Sequence, residues 1–518
     1  MLSESAPLDP PETAAPLSEA LTTPFVTHPQ PETHLSRRQT LGVLAALLMG
    51  LLLGALDNFI VVTALPTIAK DLNDVNGQVF VVTSYLIAQT VAIPVFGKLS
   101  DRYGRRSFYL FGLAIFLVGS ALSGFSQSLD QLIAFRAVQG LGSGAFFTVV
   151  FSIVADLFPP RAAARLAGLL SGVFGVAIVL GPLIGSTIVD STTWRWIFFV
   201  NLPVGFAAIA LVLTSMEATR APPAAHRFDT LGSVLLGAWV GALIFALVEV
   251  SNGWAWTDPR TVALLATALA VLPVSIWQEL RAADPLIPLR YFRNRLVAAA
   301  SAVNFLRGAI LVAVVTFVPI LVEFGLGGSA DASRDVLYAM MIPMVVGAAF
   351  GGQFVSRLGY RAPVVLGLAV AAVGTFLLTQ VPTSPPLFRF DATVFPVGLA
   401  GALIPVGFGI GLTFAPTQLA IQYSVTKNDV GAGTSLVWFL SNLGGSIVSS
   451  LLATYQLSVL NSLRSPVPSP VAVSIQDVWW ALLPVAVVGV AFALLVRGRL
   501  PAGGPGEPSP SPATPTVL

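Results

Sequence analysis

The sequence predicts an all-α integral membrane protein whose fourteen transmembrane helices form two six-helix bundles with a two-helix insert between them. The first supporting observation is composition: 55% of the 518 residues are apolar and only 10% are charged, whereas about a quarter of residues in soluble domains are charged. The second is a series of long apolar runs. The third is a ten-residue stretch, residues 97–106, which returns in altered form at residues 352–361.

Each apolar run is long enough to cross a bilayer, which takes about twenty helical residues. Helices are the expected form because polar backbone groups cannot face lipid unpaired. The even number of crossings puts both ends of the chain on one side of the membrane. The runs begin near Leu41, Val79, Ser107, Leu132, Leu166, Ile197, Leu231, Val262, Leu296, Val336, Val364, Val394, Val430 and Val478.

The recurring stretch indicates an internal duplication. Its second copy keeps both glycines and two arginines but has Ser356 where the first has Asp101, and the runs at Leu41 and Leu296 are separated by the same interval. We therefore expect bundles at residues 39–216 and 296–497, with the insert and its basic linkers at 217–295. The tails, residues 1–38 and 498–518, are rich in Pro, Ser and Thr and are predicted to be disordered.

The distribution of positive charge predicts the orientation. Alternate loops on the side of the two tails carry 19 Lys and Arg residues, the opposite loops carry 6, and Arg136 and Arg307 lie within spans. Because positive residues are enriched in cytoplasmic loops, we expect a multi-pass protein of the inner (cytoplasmic) membrane with both termini in the cytoplasm.

Several chemistries are excluded. The chain has no Cys, and its histidines, His28, His34 and His226, lie outside the apolar runs, so thiolate metal sites and buried imidazole relays are ruled out. No convergent set of nucleophile, base or metal ligands is visible. We expect neither enzymatic activity nor a cofactor other than protons. The expected partners are a small-molecule substrate and the lipid bilayer, without nucleic acid, and the protein is expected to be monomeric.

Asp57 is the one acidic residue deep inside a predicted span. A charge at that depth is costly, about 3 kcal/mol on insertion scales, and burial disfavours the ionised form. A carboxyl so placed can exchange a proton near neutral pH. The alternative is a structural acid satisfied by a neighbouring cation or hydroxyl.

Arg136 is the expected partner of Asp57, because both residues fall in the outer half of the membrane when helix rise is counted from the predicted helix starts. Protonation of Asp57 would leave Arg136 unpaired, which a transporter can use to change shape. Alternatively, the pair serves helix packing alone. Arg307, the cation of the second half, could bind an anionic substrate group or helix-end carbonyls. The candidate substrate-cavity residues are Asn58, Gln139, Asn304, Arg307 and Asn442.

The first copy of the repeated stretch predicts a cytoplasmic gate. Its arginines can pair with Asp101 and with Asp156 at the end of the fourth helix, which would hold helix ends together in one state. The alternative is that these arginines only follow the positive-inside rule, which would not explain the embedded acid or the glycines. The gate residues are Gly97, Asp101, Arg102, Gly104, Arg105, Arg106 and Asp156.

The fifth helix contains Gly181, Pro182 and Gly185. Proline inside a helix removes one backbone hydrogen bond and bends the helix, while small residues one turn apart allow close helix packing. This combination suits a helix at a moving interface.

These motifs together resemble the major facilitator superfamily, and within it the fourteen-helix drug:proton antiporters. The resemblance extends from about Leu41 to Val496 and rests on residues 97–106, 56–66, 136–144, 181–185 and 194–205. It implies alternating access between two bundles, with a proton carried at Asp57 and tuned by Arg136. Ala177 and Ser186 depart from the helix-five pattern, and Ser441 with Asn442 replaces an Arg-Gln pair. Helices ten and thirteen also lack the membrane acids that some relatives use for cationic drugs. A preference for dications is therefore not expected, and a neutral, weakly basic or anionic substrate stays open.

The leading functional hypothesis is therefore proton-driven export of drugs or other amphipathic small molecules. An importer or uniporter of a small nutrient on the same fold is the alternative, and Gly181-Pro182 argues against it. A non-transporting receptor is a further alternative, for which Asp57 would be dispensable.

Overall fold

A computed structural model describes residues 36–72, 78–216, 228–381, 397–426, 429–463 and 469–500. Of the predicted tails, 1–38 and 498–518, residues 1–35 and 501–518 lie outside the described residues, as does the stretch 217–227 of the predicted linker. The described residues 36–38 of the first tail belong to the capped start of the first helix. All the long elements that the described residues form are helices, and thirteen of them are long and apolar enough to cross a membrane.

The helices are α1 (Arg37–Asp71), α2 (Gln78–Tyr103), α3 (Arg105–Gly124), α4 (Leu129–Leu157), α5 (Pro160–Ser191), α6 (Trp196–Ser215), α7 (Thr230–Ser251), α8 (Pro259–Arg281), α9 (Arg295–Ile320), α10 (Ala330–Leu358), α11 (Arg361–Thr379), α12 (Val397–Gln422), α13 (Val430–Ser462) and α14 (Pro470–Leu495). A π turn, Leu321–Gly325, extends α9, and a short 3-10 helix, Leu289–Arg293, precedes it. Of these fourteen helices, α5 is the one that is not among the thirteen candidate spans. Its 32 residues contain the predicted apolar run. The all-α membrane fold is confirmed.

Three helices begin six to eight residues before their predicted starts, because polar residues and prolines hide their first turns. Helix α5 starts at Pro160 and α14 at Pro470, and proline is well tolerated in a first turn, where its missing N–H would have no partner in the helix. Helix α10 begins at Ala330 and is capped by Ser329, whose side chain accepts a hydrogen bond from Ala332 N. The predicted start of the twelfth helix near Val394 lies outside the described residues.

The helix packing repeats between the halves. In the first half α2 and α3 pack against α4, and α1 packs against α5 and α6; in the second half α10 and α11 pack against α12, and α9 packs against α13 and α14. Each of these helix pairs in the first half thus has an equivalent pair in the second half, whose helix numbers are higher by eight. The halves meet through two equivalent pairs, α5 with α10 and α2 with α13. Helix α7 packs on α2 and α13, and α8 on α7. The residue boundaries of the predicted domains stay a prediction.

The two halves touch near one end of the bundle, the end at which α1 begins and α14 finishes, which we call the tail end. Gly97 in α2 lies against Gly431 and Ser435 in α13. In the equivalent contact, Gly352 in α10 lies against Ala164 in α5. In this conformation the tail end of the interface is therefore closed.

Candidate functional site

Asp57 and Arg136 form a buried ion pair between α1 and α4. Arg136 Nη1 lies 2.5 Å from Asp57 Oδ2, and each residue is 1% exposed. Gln139, one turn after Arg136, accepts from Arg136 Nη1 at 2.8 Å and donates to Asp57 Oδ1 at 2.8 Å. Gln139, predicted to line the substrate cavity, thus has both ends of its amide bound within this cluster.

Two further side chains complete the cluster, and neither was among the predicted site residues, although Asn201 lies within the motif at residues 194–205. Asn201 in α6 donates to Asp57 Oδ1 at 3.1 Å, and the guanidinium carbon of Arg136 lies 4.1 Å from the ring centroid of Tyr85 in α2. Arg136 Nε also donates to the carbonyl of Val81 at 3.4 Å. Four helices therefore contribute to one polar cluster.

Both carboxyl oxygens of Asp57 are hydrogen-bonded within the cluster. Arg136 donates to one oxygen, and Gln139 and Asn201 donate to the other. Without the Asp57 carboxylate, Arg136 would still have the oxygens of Gln139 and Val81 and the Tyr85 ring, so the cation would keep part of its compensation.

At the tail end, Asp101 joins the two halves. Its carboxylate accepts from the backbone N–H of Gly431 at 2.8 Å and of Ala432 at 3.0 Å. These N–H groups belong to the first turn of α13, where backbone N–H groups have no hydrogen-bond partner within the helix. The same turn carries the positive end of the helix dipole. An acid there binds as a helix cap supplied by the other half.

Arg105 is the arginine that makes the predicted acid contacts. It lies 2.5 Å from Asp101 and 2.9 Å from Asp156. Arg102 and Arg106, predicted to pair with the same acids, have other recorded contacts in this conformation: Arg102 lies 3.8 Å from Asp284, and Arg106 donates to the carbonyl of Leu213 at 3.1 Å. Adjacent residues on a helix point about 100° apart, so Arg106 cannot face the acids that Arg105 contacts.

The glycines of this stretch have structural roles. Gly104 adopts φ 98°, between the end of α2 and the start of α3, a conformation that residues with a Cβ rarely adopt. A Cβ on Gly97 would lie 2.7 Å from Ser435 Cβ and 2.8 Å from the carbonyl oxygen of Gly431. Gly97 therefore allows α2 and α13 to approach closely.

Lys98 forms a second tail-end cluster, which sequence reasoning missed. Its ammonium lies 2.5 Å from Asp284, in the linker after α8, and 2.7 Å from Asp429, at the start of α13. Asp429 also accepts from Arg290 at 2.9 Å and from Tyr291 at 2.7 Å. Burial alone would raise the pKa of Asp429, but the charge and hydrogen bond of Lys98, helped by Tyr291 and Thr426, hold it below its ordinary value.

In the second half, Asn304 and Arg307 come together. Thr417 Oγ1 in α12 lies 2.9 Å from Asn304 Oδ1 and 3.3 Å from Arg307 Nη1, and the guanidinium carbon lies 4.0 Å from the Phe414 ring centroid. The remaining candidates lie apart from this group. Asn58 donates to the carbonyl of Gly54 in its own helix at 3.0 Å, and Asn442 is half-buried on α13.

The helix-five glycines pack against the part of α1 that follows Asp57. A Cβ on Gly181 would lie 2.5 Å from Phe59 Cβ, and Gly185 abuts Thr63 in the same way. Pro182 lies within α5, which also carries the contact with α10 between the halves. Residues 181–185 thus connect the α1 helix of the ion pair to an inter-half interface. Among the described residues, no group of His, Cys, Asp and Glu has an arrangement that could hold a metal ion.

Comparisons with known proteins agree with this architecture. The sequence model of the family described as Major Facilitator Superfamily matches residues 47–449. Multidrug resistance protein 3 of Bacillus subtilis (strain 168) is 33% identical over 424 residues, 81% of this chain and 80% of that protein. Multidrug transporter protein MdtP of the same organism is 32% identical over 410 residues, 79% of this chain and 74% of that protein.

Among solved structures, that of the human organic anion transporter MFSD10 (TETRAN) superposes with a TM-score of 0.62 at 15% sequence identity, covering 87% of this chain and 99% of that one. At that identity the likeness shows the fold alone.

Proposed function

The chain belongs to the major facilitator superfamily, a family of transporters and not of enzymes, and from this premise we propose that it is a proton-coupled antiporter that exports amphipathic small molecules. The multidrug transporters of Bacillus subtilis, similar over about four fifths of this chain, support the export direction and the substrate class. The buried Asp57–Arg136 pair carries the proposed coupling to protons.

The proposed cycle starts from the conformation described above, closed at the tail end. Asp57 is ionised and paired with Arg136. A proton arriving from the side opposite the tails neutralises Asp57 and weakens its bonds to Arg136, Gln139 and Asn201. Those bonds connect α1 with α4 and α6, so their loss frees α1 to move against its neighbours. Reopening at the tail end then releases the proton and admits the substrate.

The tail-end contacts supply the second part of the cycle. Asp101 bound to the first turn of α13, and Lys98 bound to Asp429, each join one half to the other. Both contacts must break for the tail end to open. They therefore stabilise the closed state without touching the transported molecule.

The direction of transport follows from the charge distribution. The excess of Lys and Arg on the tail side argues for a cytoplasmic tail end under the positive-inside rule, in the cytoplasmic membrane. A proton moving inward then releases about 2.3 kcal/mol per 100 mV of membrane potential, plus the contribution of the pH gradient. The substrate leaves as the proton enters, by alternating access of a single chain.

The test is transport in proteoliposomes with an imposed pH gradient, measured for a panel of dyes and antibiotics. Wild-type protein is expected to accumulate substrate against its gradient only while the proton gradient is maintained. Asp57→Asn, which cannot exchange a proton at that position, is expected to lose gradient-driven accumulation and to retain substrate binding.

The matched control is Asp71→Asn. Asp71 is the last residue of α1 and pairs with Arg195 at 3.1 Å where both are partly exposed, so it shares the helix and the charge but not the burial. Its loss should leave coupling intact. Wild-type transport indifferent to the pH gradient would rule out antiport and leave a uniporter, while equal loss in both variants would show general damage to α1.

A further inference from the structure

Arg307 in α9 is a buried cation without a matching acid in the part of the chain that the structure describes. It is 0% exposed. One nitrogen, Nη1, lies 3.3 Å from Thr417 Oγ1, while Nε and Nη2 are buried without a hydrogen-bond partner among the described residues. Arginine cannot lose its proton in a protein, so the charge remains whatever the pH.

The other arginine inside a membrane span has its positive charge compensated by nearby acceptors. Arg136 is equally buried, but it is bound by the carboxylate of Asp57, the amide oxygen of Gln139 and the carbonyl of Val81. Among the described residues, Arg307 has no comparable set of hydrogen-bond acceptors. Helix-end carbonyls, one possible reason for an arginine at this depth, make no hydrogen bond with it among the described residues.

Gln418 offers a further donor on the face of α12 that contacts Arg307. It follows Phe414, the residue under the guanidinium, by one helical turn. It is 3% exposed and its amide nitrogen Nε2 is buried without a partner among the described residues, whereas the amide nitrogen of Asn304 is already bound to the carbonyl of Ala300 at 2.9 Å. A fixed buried positive charge with an unpaired amide donor on the adjoining helix face is complementary to an anion and repels a cation.

Aromatic rings lie next to these donors. Phe414, over which the guanidinium stacks, has its ring centroid 6.1 Å from that of Trp438 in α13. Trp438 in turn lies 5.8 Å from Phe147 in α4. The cation therefore stands beside an aromatic surface built by both halves, which suits a planar apolar body attached to a charged group.

We propose that Arg307 and Gln418 bind the carboxylate of an aromatic organic anion, whose ring system packs against Phe414 and Trp438. This inference rests on the proposed export function and gives it a substrate class. The guanidinium supplies two parallel N–H donors, Nε and Nη2, which match the two oxygens of a carboxylate. A cationic drug of the same shape lacks the acceptor and is repelled by the charge.

A pair of dyes isolates the carboxylate. Rhodamine 110 carries a free carboxyl group, and rhodamine 123 is its methyl ester, so the two differ only at that group. Fluorescence polarisation on detergent-purified full-length protein is expected to show about tenfold tighter binding of rhodamine 110, equivalent to about 1.4 kcal/mol. Arg307→Gln should abolish this preference, and Arg307→Lys should retain part of it, because the ammonium keeps the charge but not the paired donors.

Thermal unfolding of the ligand-free protein separates binding from packing. Removing an uncompensated buried charge should leave the unfolding temperature of Arg307→Gln equal to that of wild type or raise it. A clear drop would assign Arg307 to helix packing and overturn the proposal. Equal affinity of the wild type for the two dyes would also overturn it, as would chloride stabilising the protein as well as rhodamine 110, which would assign the site to an inorganic anion.

The proposed function and this inference fail separately. Arg307→Gln should lose the preference between the two dyes in binding, whereas Asp57→Asn should keep the preference for rhodamine 110 in binding and lose gradient-driven transport. A carboxylate preference without gradient-driven transport would remove antiport alone. Gradient-driven transport without the preference would remove the anion site alone.

Discussion

Asp101 in α2 accepts a hydrogen bond at 2.8 Å from the backbone N–H of Gly431, the second residue of α13, 330 positions later in the chain. The same carboxylate is held by Arg105 at 2.5 Å. Asp101 thus connects the last turn of α2 in the first half to the start of α13 in the second half. Because α13 must withdraw from α2 for the tail end to open, this bond stabilises one of the two conformations that a transporter needs.

The first prediction concerns Asp101→Ala. Losing hydrogen bonds to a charged group costs about 1.5 to 3 kcal/mol, so the closed state should lose about ten- to hundredfold in population relative to the open one. Turnover in proteoliposomes should fall, while substrate affinity in detergent should change far less. The control is Ser356→Ala, the equivalent position in the second copy, whose hydroxyl donates to the carbonyl of Gln353 in its own helix at 2.6 Å. Lower affinity with normal turnover would contradict the gate.

The second prediction concerns Lys98, which lies between Asp284 and Asp429. Lys98→Gln removes the cation and leaves two carboxylates close together, so the tail end should open more often. The chain has no Cys, so spin labels can be attached at Tyr103→Cys and Leu358→Cys, both more than half exposed. The distances between these two labels, which lie in opposite halves, are measured by double electron–electron resonance. They should shift towards longer values.

Its control is Arg334→Gln. Arg334 also bridges two acids, Asp331 at 2.7 Å and Asp335 at 3.0 Å, but all three residues belong to the first turns of α10. That substitution removes a cation without separating the halves and should leave the distances unchanged. An unchanged distribution in Lys98→Gln would mean that the Lys98 cluster does not hold the tail end closed.

The third prediction concerns Asn201, which donates to Asp57 at 3.1 Å. Asn201→Leu keeps the branched shape of the side chain, although leucine is larger, and removes one hydrogen bond that connects α6 to the Asp57 carboxylate. Because a hydrogen bond to a charged group contributes at least about 1.5 kcal/mol, gradient-driven transport in proteoliposomes should fall about tenfold. Asn252→Leu is the control, because Asn252 is an exposed asparagine at the end of α7. Equal transport by Asn201→Leu and wild type would contradict a role of this hydrogen bond in coupling.

Much of the site could be predicted because charge within an apolar span is rare and therefore informative. Asp57 and Arg136 could be paired on that ground, and the spacing of Asp101 and Arg105 by one helical turn agrees with their contact. Asn201 could not be found in this way. It is a neutral residue beside an aromatic segment, and only the packing of α6 against α1 brings it to Asp57.

The Lys98 cluster escaped prediction for a different reason. Asp284 lies in the linker of the two-helix insert, which has no counterpart in the internal duplication, and Lys98 and Asp429 are 331 positions apart. No sequence pattern relates these positions. The direction of Arg106 was hidden likewise, because α3 starts after the break at Gly104, where positive φ reorients α3 relative to α2.

The fourth prediction concerns the close contact of α2 with α13. In Gly97→Ala the added Cβ would lie 2.7 Å from Ser435 Cβ and 2.8 Å from the Gly431 carbonyl oxygen, distances that force the helices apart. The closed tail end should be destabilised, and the distance between labels at Tyr103→Cys and Leu358→Cys should increase, although alanine is by itself about 1 kcal/mol better than glycine in a helix.

Gly401→Ala in α12 is the control, since a Cβ there meets none of the described residues within 4 Å. This substitution should stabilise the protein or leave its stability unchanged, and the label distances should stay those of the wild type. If Gly97→Ala behaves like Gly401→Ala, the approach of α2 to α13 at this point is not needed for closure.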